Sequence, residues 1–357
     1  NRMLTLKAAG LLDVETGEII RPGIIHIDGD RIAGVGGEPR GEVIDLGDQI
    51  LMPGLMDMEV NLLMGGRGEK PVYSTVQDDP PLRMLRAVGN SRRTLRAGFT
   101  TVRNLGLFVK TGGYLLDVAL GKAIDAGWVD GPRIVPAGHA ITPTGGHLDP
   151  TMFAAFAPGV LDLTIEEGIA NGVDEVRKAV RYQIKHGAQL IKVCVSGGVM
   201  SMTGSAGAQH YSDEELRAIV DEAHRRGLKV ASHTHGAEAV RHAVAAGIDC
   251  IEHGFLIDDD AIDQMVENGT WLVPTTRLAD AMDTSHAPPE LQAKAARCSR
   301  RHALPCWRRT RPASRSQSEP MLRRFRTARM PTRSSRWSTG DSRRWRSSRP
   351  RRSTRPS

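Results

Sequence analysis

Three apolar runs carry titratable groups where apolar residues are the rule. Lys192 stands inside Leu190-Ile191-Lys192-Val193-Cys194-Val195, His233 and His235 close Val230-Ala231-Ser232-His233-Thr234-His235, and His253 follows Ile251-Glu252 ahead of Gly254. A lysine within an apolar strand is costly unless it is neutralised, paired or chemically modified. Imidazoles beside it are common metal ligands, so the combination points to a divalent ion. Each residue alone has a plainer reading: a strand lysine usually pairs with an acid, and a strand-end histidine is usually structural. Their recurrence on three successive strands favours the chemical reading.

Three further side chains are candidates for the substrate's surroundings: His147 in Gly145-Gly146-His147, His235 at its strand end, and Tyr211 just ahead of Ser212. A tyrosine hydroxyl there would donate to a developing oxyanion. The competing readings are a helix-entry packing residue for Tyr211 and a turn residue for His147. The stretch Ser196-Gly197-Gly198 with Gly204 to Gly207 reads as an active-site loop. His186, His224 and His242 fall on helices or helix ends and read as surface residues, and Asp258-Asp259-Asp260 ahead of Ala261-Ile262 reads as a helix start favoured by the dipole.

Groups at strand ends need a parallel framework to bring them together. From Ile50 onward the chain repeats an apolar strand, a glycine-rich loop and an amphipathic helix, the signature of a parallel α/β architecture. Seven strands are expected: Ile50 to Met58, Thr100 to Arg103, Arg133 to Ala137, Leu190 to Val195, Lys229 to Ser232, Asp249 to Glu252 and Trp271 to Pro274. Ser212 and Glu215 form a capping box, after which Leu216, Ile219, Val220 and Ala223 recur at helical spacing. A second helix runs from Ala237 to Ala246 and stops at Gly247. Ahead of all this, residues 3 to 50 alternate short apolar runs with turns such as Asp28-Gly29-Asp30, which predicts a small β-sandwich.

The order of these motifs resembles the amidohydrolase superfamily, particularly its imidazolonepropionase-like and prolidase-like dipeptidase members. The resemblance rests on Leu51-Met52-Pro53-Gly54-Leu55-Met56-Asp57-Met58, Thr100-Thr101-Val102-Arg103, Gly145-Gly146-His147, Leu190-Ile191-Lys192-Val193, Ser232-His233-Thr234-His235-Gly236 and Ile251-Glu252-His253-Gly254, spread over roughly residues 3 to 295. It implies a (β/α)8-type TIM barrel behind a small β-sandwich, a carboxylated lysine bridging two metals, and hydrolysis of a C–N bond in a small amide, N-acyl amino acid or dipeptide. By that match the implied ligands are Lys192, His233 and His253, with one zinc ion, or two, as the cofactor.

Two departures qualify it. Where the family's first strand ends in His-x-His, this chain has Glu59-Val60-Asn61. Glutamate still binds zinc through oxygen, whereas asparagine is a weak ligand, so Glu59 and Asn61 make an impaired first metal site. The family's eighth strand carries a Thr-Asp pair, and none occurs between Thr275 and Ser357. The barrel is therefore expected to lack its eighth strand together with that strand's ligand and base. An inactive barrel relic is accordingly a rival to the hydrolase.

The 357 residues suffice for one large domain with an appendage, and no run of eighteen apolar residues suggests a membrane span. A soluble, cytoplasmic protein, with no membrane partner and with a homo-oligomer allowed, is the expectation. Cys194, Cys250, Cys298 and Cys306 show no CxxC pairing and read as buried free thiols. The formal charge of +7 is concentrated at one end: from Cys298 onward nineteen arginines face two acids, a net +17, which leaves −10 on the rest. Residues 298–357 carry no apolar periodicity and are expected to be a disordered or frameshifted tail. A genuine Arg/Ser-rich tail binding nucleic acid is the less favoured alternative. The organisation expected is thus a sandwich segment at 1–52, a barrel at 53–297 and the tail.

Overall fold

The computed structural model describes residues 3–65, 77–149, 152, 157, 159–202, 204–277, 284–285 and 288–301. The tail expected from residue 298 lies almost wholly outside the described residues, as does most of the stretch in which an eighth strand was sought. The described residues form two compact units that part between Leu55 and Met56.

The first unit holds seven short strands. β1 (Leu4–Ala8) pairs antiparallel with β4 (Gly23–Asp28), which turns through Asp28 to Arg31 into β5 (Arg31–Val35). The expected Asp-Gly turn is there, with Gly29 in the left-handed region that a side chain resists. β6 (Glu42–Asp45) completes this sheet alongside β1, while β2 (Gly10–Leu12), β3 (Ile19–Ile20) and β7 (Ile50–Leu51) make a second one. Pro53 and Gly54 interrupt what the sequence suggested was one strand from Ile50 to Met58, so its two halves belong to different units.

The second unit continues with β8 (Leu55–Val60), β9 (Phe99–Asn104), β10 (Arg133–Pro136), β11 (Ile191–Cys194), β12 (Val230–Gly236), β13 (Cys250–Leu256) and β14 (Trp271–Val273). They lie side by side in chain order, as β8-β9-β10 and β11-β12-β13-β14. Ile141, just past β10, joins the two groups: its N–H donates to the Lys192 carbonyl at 2.8 Å and its carbonyl accepts from the Cys194 N–H at 2.9 Å.

Helices accompany these strands, among them α1 (Pro80–Arg96), α2 (Leu116–Asp125), α3 (Gly172–Lys185), α4 (Asp213–Arg225), α5 (Ala237–Ala245), α6 (Asp259–Asn268) and α7 (Pro289–Arg301). The capping box opening α4 is formed, the Ser212 hydroxyl accepting from the Glu215 N–H and the Glu215 carboxylate from the Ser212 N–H. Asp258 caps α6 by accepting from the Ala261 N–H at 2.9 Å, the helix-start role read from its triplet. The apolar stripe of α4 (Leu216, Ile219, Val220, Ala223) meets Ile191, Val193, Val230 and Ile251 in the main core. Each large aliphatic side chain buried there contributes roughly 1.5–3 kcal/mol. Cys194, Cys250 and Cys298 are buried free thiols, and no helix among the described residues is long and apolar enough to cross a membrane.

Candidate active site

Parallel register carries the three singled-out strands to one end of the sheet. Cys194 pairs with His233, His233 with Glu252, and Thr234 with His253. β12 and β13 run further than expected, so the histidines lie within hydrogen-bonded backbone, which fixes them more firmly than strand ends would.

Four imidazoles gather there. The His147 and His233 rings have centroids 3.9 Å apart, His233 lies 4.6 Å from both His235 and His253, and His235 lies 5.2 Å from His253. All four are buried. Burial first, then neighbouring histidines and Lys192, hold His147 and His233 well below the ordinary imidazole range; for His253 the causes are burial and Lys192. Neutral imidazoles in an interior are acceptors and ligands rather than cations.

Lys192 lies at the base of this group with only 1% of its surface exposed, its stem passing Gly106. A β-carbon on Gly106 would come within 3.2 Å of Lys192 Cγ and 2.7 Å of Ala140 Cβ, and the residue's φ of +91° also selects glycine. Among the described residues Lys192 Nζ, His233 Nε2, Glu59 Oε2 and Glu252 Oε2 are buried without a hydrogen-bond partner. Several unpartnered polar atoms around one interior point are costly unless a further group completes them.

Glu252 is half satisfied. Its Oε1 accepts from Arg103 Nη2 at 2.6 Å, while Arg103 Nε donates to the Met58 carbonyl at 2.7 Å. Arg103 thus ties β8, β9 and β13 together from inside. Burial raises the carboxyl pKa of both Glu59 and Glu252, against the opposing pull of Lys192 and Arg103. His253 Nδ1 lies 2.7 Å from Thr275 Oγ1 and 3.5 Å from Glu59 Oε2.

The backbone is strained at the same place. Leu148, His253 and Thr275 are the non-glycine residues with positive φ among the described residues, at 68°, 73° and 44°, and they flank or form the histidine group. Such conformations cost of order 1–3 kcal/mol each and concentrate at functional sites.

Of the residues singled out from sequence, Lys192, His233, His235, His253, His147 and Glu59 come together. Two do not take the expected part. Asn61 uses its side-chain amide on the Gly106 carbonyl at 3.0 Å, which ties the chain after β8 to that after β9. Tyr211 faces the wall of the barrel: its ring packs in the main core with Leu216 and Ile219, and its hydroxyl donates to the Ala170 carbonyl at 3.0 Å. The helix-entry packing reading therefore replaces its expected role as an oxyanion donor. Ser201, His210, Thr275, Arg103 and Glu252 were not assigned to the site by sequence reasoning. For Arg103 and Glu252 the signal was present, a charge inside an apolar strand, as at Lys192. His224 and His242 lie toward the surface, on Asp249 and Asp213, and His186 stacks on Tyr182.

The chain matches the amidohydrolase family over residues 50–316. It belongs to that family. Relatives include ochratoxinase of Aspergillus niger, 34% identical over 298 residues, which cover 78% of this chain and 60% of that protein. The chain thus spans about 60% of the length of the curated relatives it matches first. Among solved structures it resembles a Xaa-Pro dipeptidase with bound methionine in the active site, at a TM-score of 0.74 and 34% identity over 84% of this chain and 74% of the other. The A. niger ochratoxinase structure gives a TM-score of 0.73 at 30% identity, covering 84% of this chain and 73% of that one. With this membership the second unit is a TIM-barrel-like α/β fold, and its histidines occupy the C-terminal side of the strands, where such folds place their chemistry.

Members of the family generally depend on metal. Counting only histidine, cysteine, aspartate and glutamate, no group of three able to hold an ion stands among the described residues. Two unpartnered atoms bear on this apparent conflict: Lys192 Nζ, which can bind an ion only once deprotonated or carboxylated, and Glu59 Oε2 both lie beside the His233 and His253 pair. A neutral two-imidazole set beside Lys192, with Glu59 as an oxygen donor, fits one divalent ion better than two, since Asn61 is committed to Gly106.

Proposed function

We propose that this chain is a metal-dependent hydrolase of the C–N bond of a small amide such as an N-acyl amino acid or a dipeptide, using a single zinc ion on Lys192, His233 and His253. The observation carrying this reading is the packing of three buried histidine rings around His233, beside the unpartnered Lys192 Nζ. The relatives named an ochratoxinase and a Xaa-Pro dipeptidase support the substrate class.

A bound ion would polarise the scissile carbonyl and bring its water's pKa near neutrality. The chain's own groups do the rest. Thr275 Oγ1 and Glu59 Oε2 both lie at Nδ1 of His253, which leaves Nε2 of that ring to the site. His147 and His235 border the space beside His233, where they contact the substrate and supply or accept a proton at an imidazole nitrogen. The aromatic ring of Phe255, 4.8 Å from His235, helps keep water from that side.

The finer architecture belongs to the same proposal: the two small sheets of the first unit act as a sandwich, and the barrel lacks its eighth strand. A specific observation also favours the inactive relic. Met56 on β8 and Trp271 on β14 are 60% and 53% exposed, leaving apolar surface on the two outermost strands. Nucleic-acid binding would rest on the tail, which lies almost wholly outside the described residues.

The test is the metal content of purified protein by inductively coupled plasma mass spectrometry, with hydrolysis assayed on dipeptides and N-acyl amino acids. About one zinc per chain, absent from a Lys192→Ala/His233→Ala/His253→Ala variant and accompanied by hydrolysis, is the expected result. Folded protein without bound metal or hydrolysis would leave the relic as the better description.

A further inference from the structure

The segment between β11 and α4 folds back over the histidines, and its polar contacts converge on one of them. Ser201, 1% exposed, places its Oγ 2.7 Å from His147 Nδ1 and 4.0 Å from Met152 Sδ. The Ser201 carbonyl accepts from Lys294 Nζ at 2.8 Å, a long side chain reaching in from α7. Helix α7 holds the same segment by apolar contact too, since Cys298 packs in a cluster with Val199, Ala206, Phe255 and Leu256. Gly198 completes the arrangement: a β-carbon there would lie 2.2 Å from His147 Nδ1 and Cε1, so only glycine lets the ring seat against the segment.

Of the two acceptors near the Ser201 hydroxyl, His147 Nδ1 at 2.7 Å is nearer and stronger than Met152 Sδ at 4.0 Å, which favours donation to the ring. A neutral imidazole that accepts at Nδ1 carries its own proton on Nε2. The His147 backbone N–H donates to His210 Nε2 at 3.0 Å, which fixes the neighbouring ring in the opposite tautomer, with its proton on Nδ1.

We propose that Ser201, held in place by Lys294 of helix α7, is a positioning residue that locks His147 in the Nε2–H tautomer and so makes it a hydrogen-bond donor to the substrate's carbonyl oxygen. The locking stands on the contacts alone; the assignment of a carbonyl as the group receiving the bond rests on the hydrolase reading above. The device explains why the last described helix, far along the chain from the histidines, bears on their geometry. It also gives the oxyanion-side donor that Tyr211 does not supply.

The decisive readout is the imidazole tautomer of His147, taken from long-range proton–nitrogen NMR correlations on the uniformly nitrogen-15-labelled full chain. The expected result is a single Nε2–H form in the wild type, a mixture of tautomers in Ser201→Ala and in Lys294→Met, and return of the single form in Ser201→Thr or Lys294→Arg. With hydrolysis measured alongside, Ser201→Ala should lower kcat about tenfold with KM little changed, the effect of a misoriented donor rather than lost binding. A wild-type ring protonated at Nδ1, or a tautomer unchanged by Ser201→Ala, would overturn the proposal. A tautomer that responds as expected in a chain that hydrolyses nothing would support the positioning role and count against the hydrolase.

Discussion

Strands β11 to β13 and strand β8 deliver side chains to the same interior point, yet they are built differently. Every residue of β11, β12 and β13 is buried, and each of these strands pairs with a neighbour on both sides. β8 ends its sheet beside β9 and exposes Met56 and Met58. The first of the two departures from the family's ligand pattern falls at the second kind of strand, at Glu59 and, just beyond its end, Asn61. Where packing is dense, a donor's position is dictated by the core around it; at an edge, a substituted side chain finds new partners, as Asn61 does with Gly106.

The largest effect that separates these regions is chemical. His233→Ala should abolish bound metal and lower hydrolysis at least ~100-fold, while Asn61→Ala should change it less than about threefold, as measured by kcat/KM on the best amide substrate. Equal losses would show the edge strand to be a full partner in the site. Next comes the residue that fastens one region to the other. Arg103→Ala leaves the buried Glu252 carboxylate without its cation, and its cost should be about 3–5 kcal/mol in urea unfolding. A value under 1 kcal/mol would mean that water already reaches Glu252.

Acid should weaken the densely packed side first. Burial lowers His139 to about 4 from an ordinary 6.5, so the unfolded chain binds its proton more readily. Its contribution to stability is present above pH 6.5 and is lost as pH falls toward 4, on the order of 3 kcal/mol. His147, His233 and His253 act in the same sense, whereas Asp117, raised to about 6, and Glu59 and Glu252, also raised by burial, act in the opposite one: the Asp117 contribution is lost as pH rises from 4 to 6. The four histidines outnumber these three carboxyls, so chemical unfolding followed from pH 7 to pH 4 should show falling stability. A flat profile would show that the imidazoles are not dry. The smallest effect concerns Tyr211. Tyr211→Phe loses the hydrogen bond to Ala170 and should cost about 1 kcal/mol with kcat unchanged, and a large fall in kcat at intact stability would return Tyr211 to the chemistry.

Much of this was legible in the sequence because the signals were local. The α4 capping box, the Asp258 cap and the alternation of strand and helix all depend on residues within a few positions of one another. Lys192, His233 and His253 were legible for a different reason: polar groups inside apolar strands are conspicuous. Ser201 and Thr275 gave no such signal, since a serine or threonine in a loop is ordinary and their partners, His147 and His253, lie 54 and 22 residues away. Tyr211 misled because a residue just ahead of a helix can face either side of the strands, and only packing against Leu216 and Ile219 decides which. The break at Pro53-Gly54 in the strand expected from Ile50 to Met58 was hidden by apolar sequence on both sides, although proline within a strand argued for it.

The Arg103–Glu252 pair has a kinetic meaning beyond its strength. Its partners are 149 residues apart in the chain and sit on strands that are not neighbours, so the contact forms only after the intervening strands have assembled. An interaction made that late is absent from the folding transition state. The pair therefore acts as a clasp on the finished structure: without it the chain would fold at nearly the same rate but unfold faster, shortening the lifetime of the native state rather than delaying its arrival.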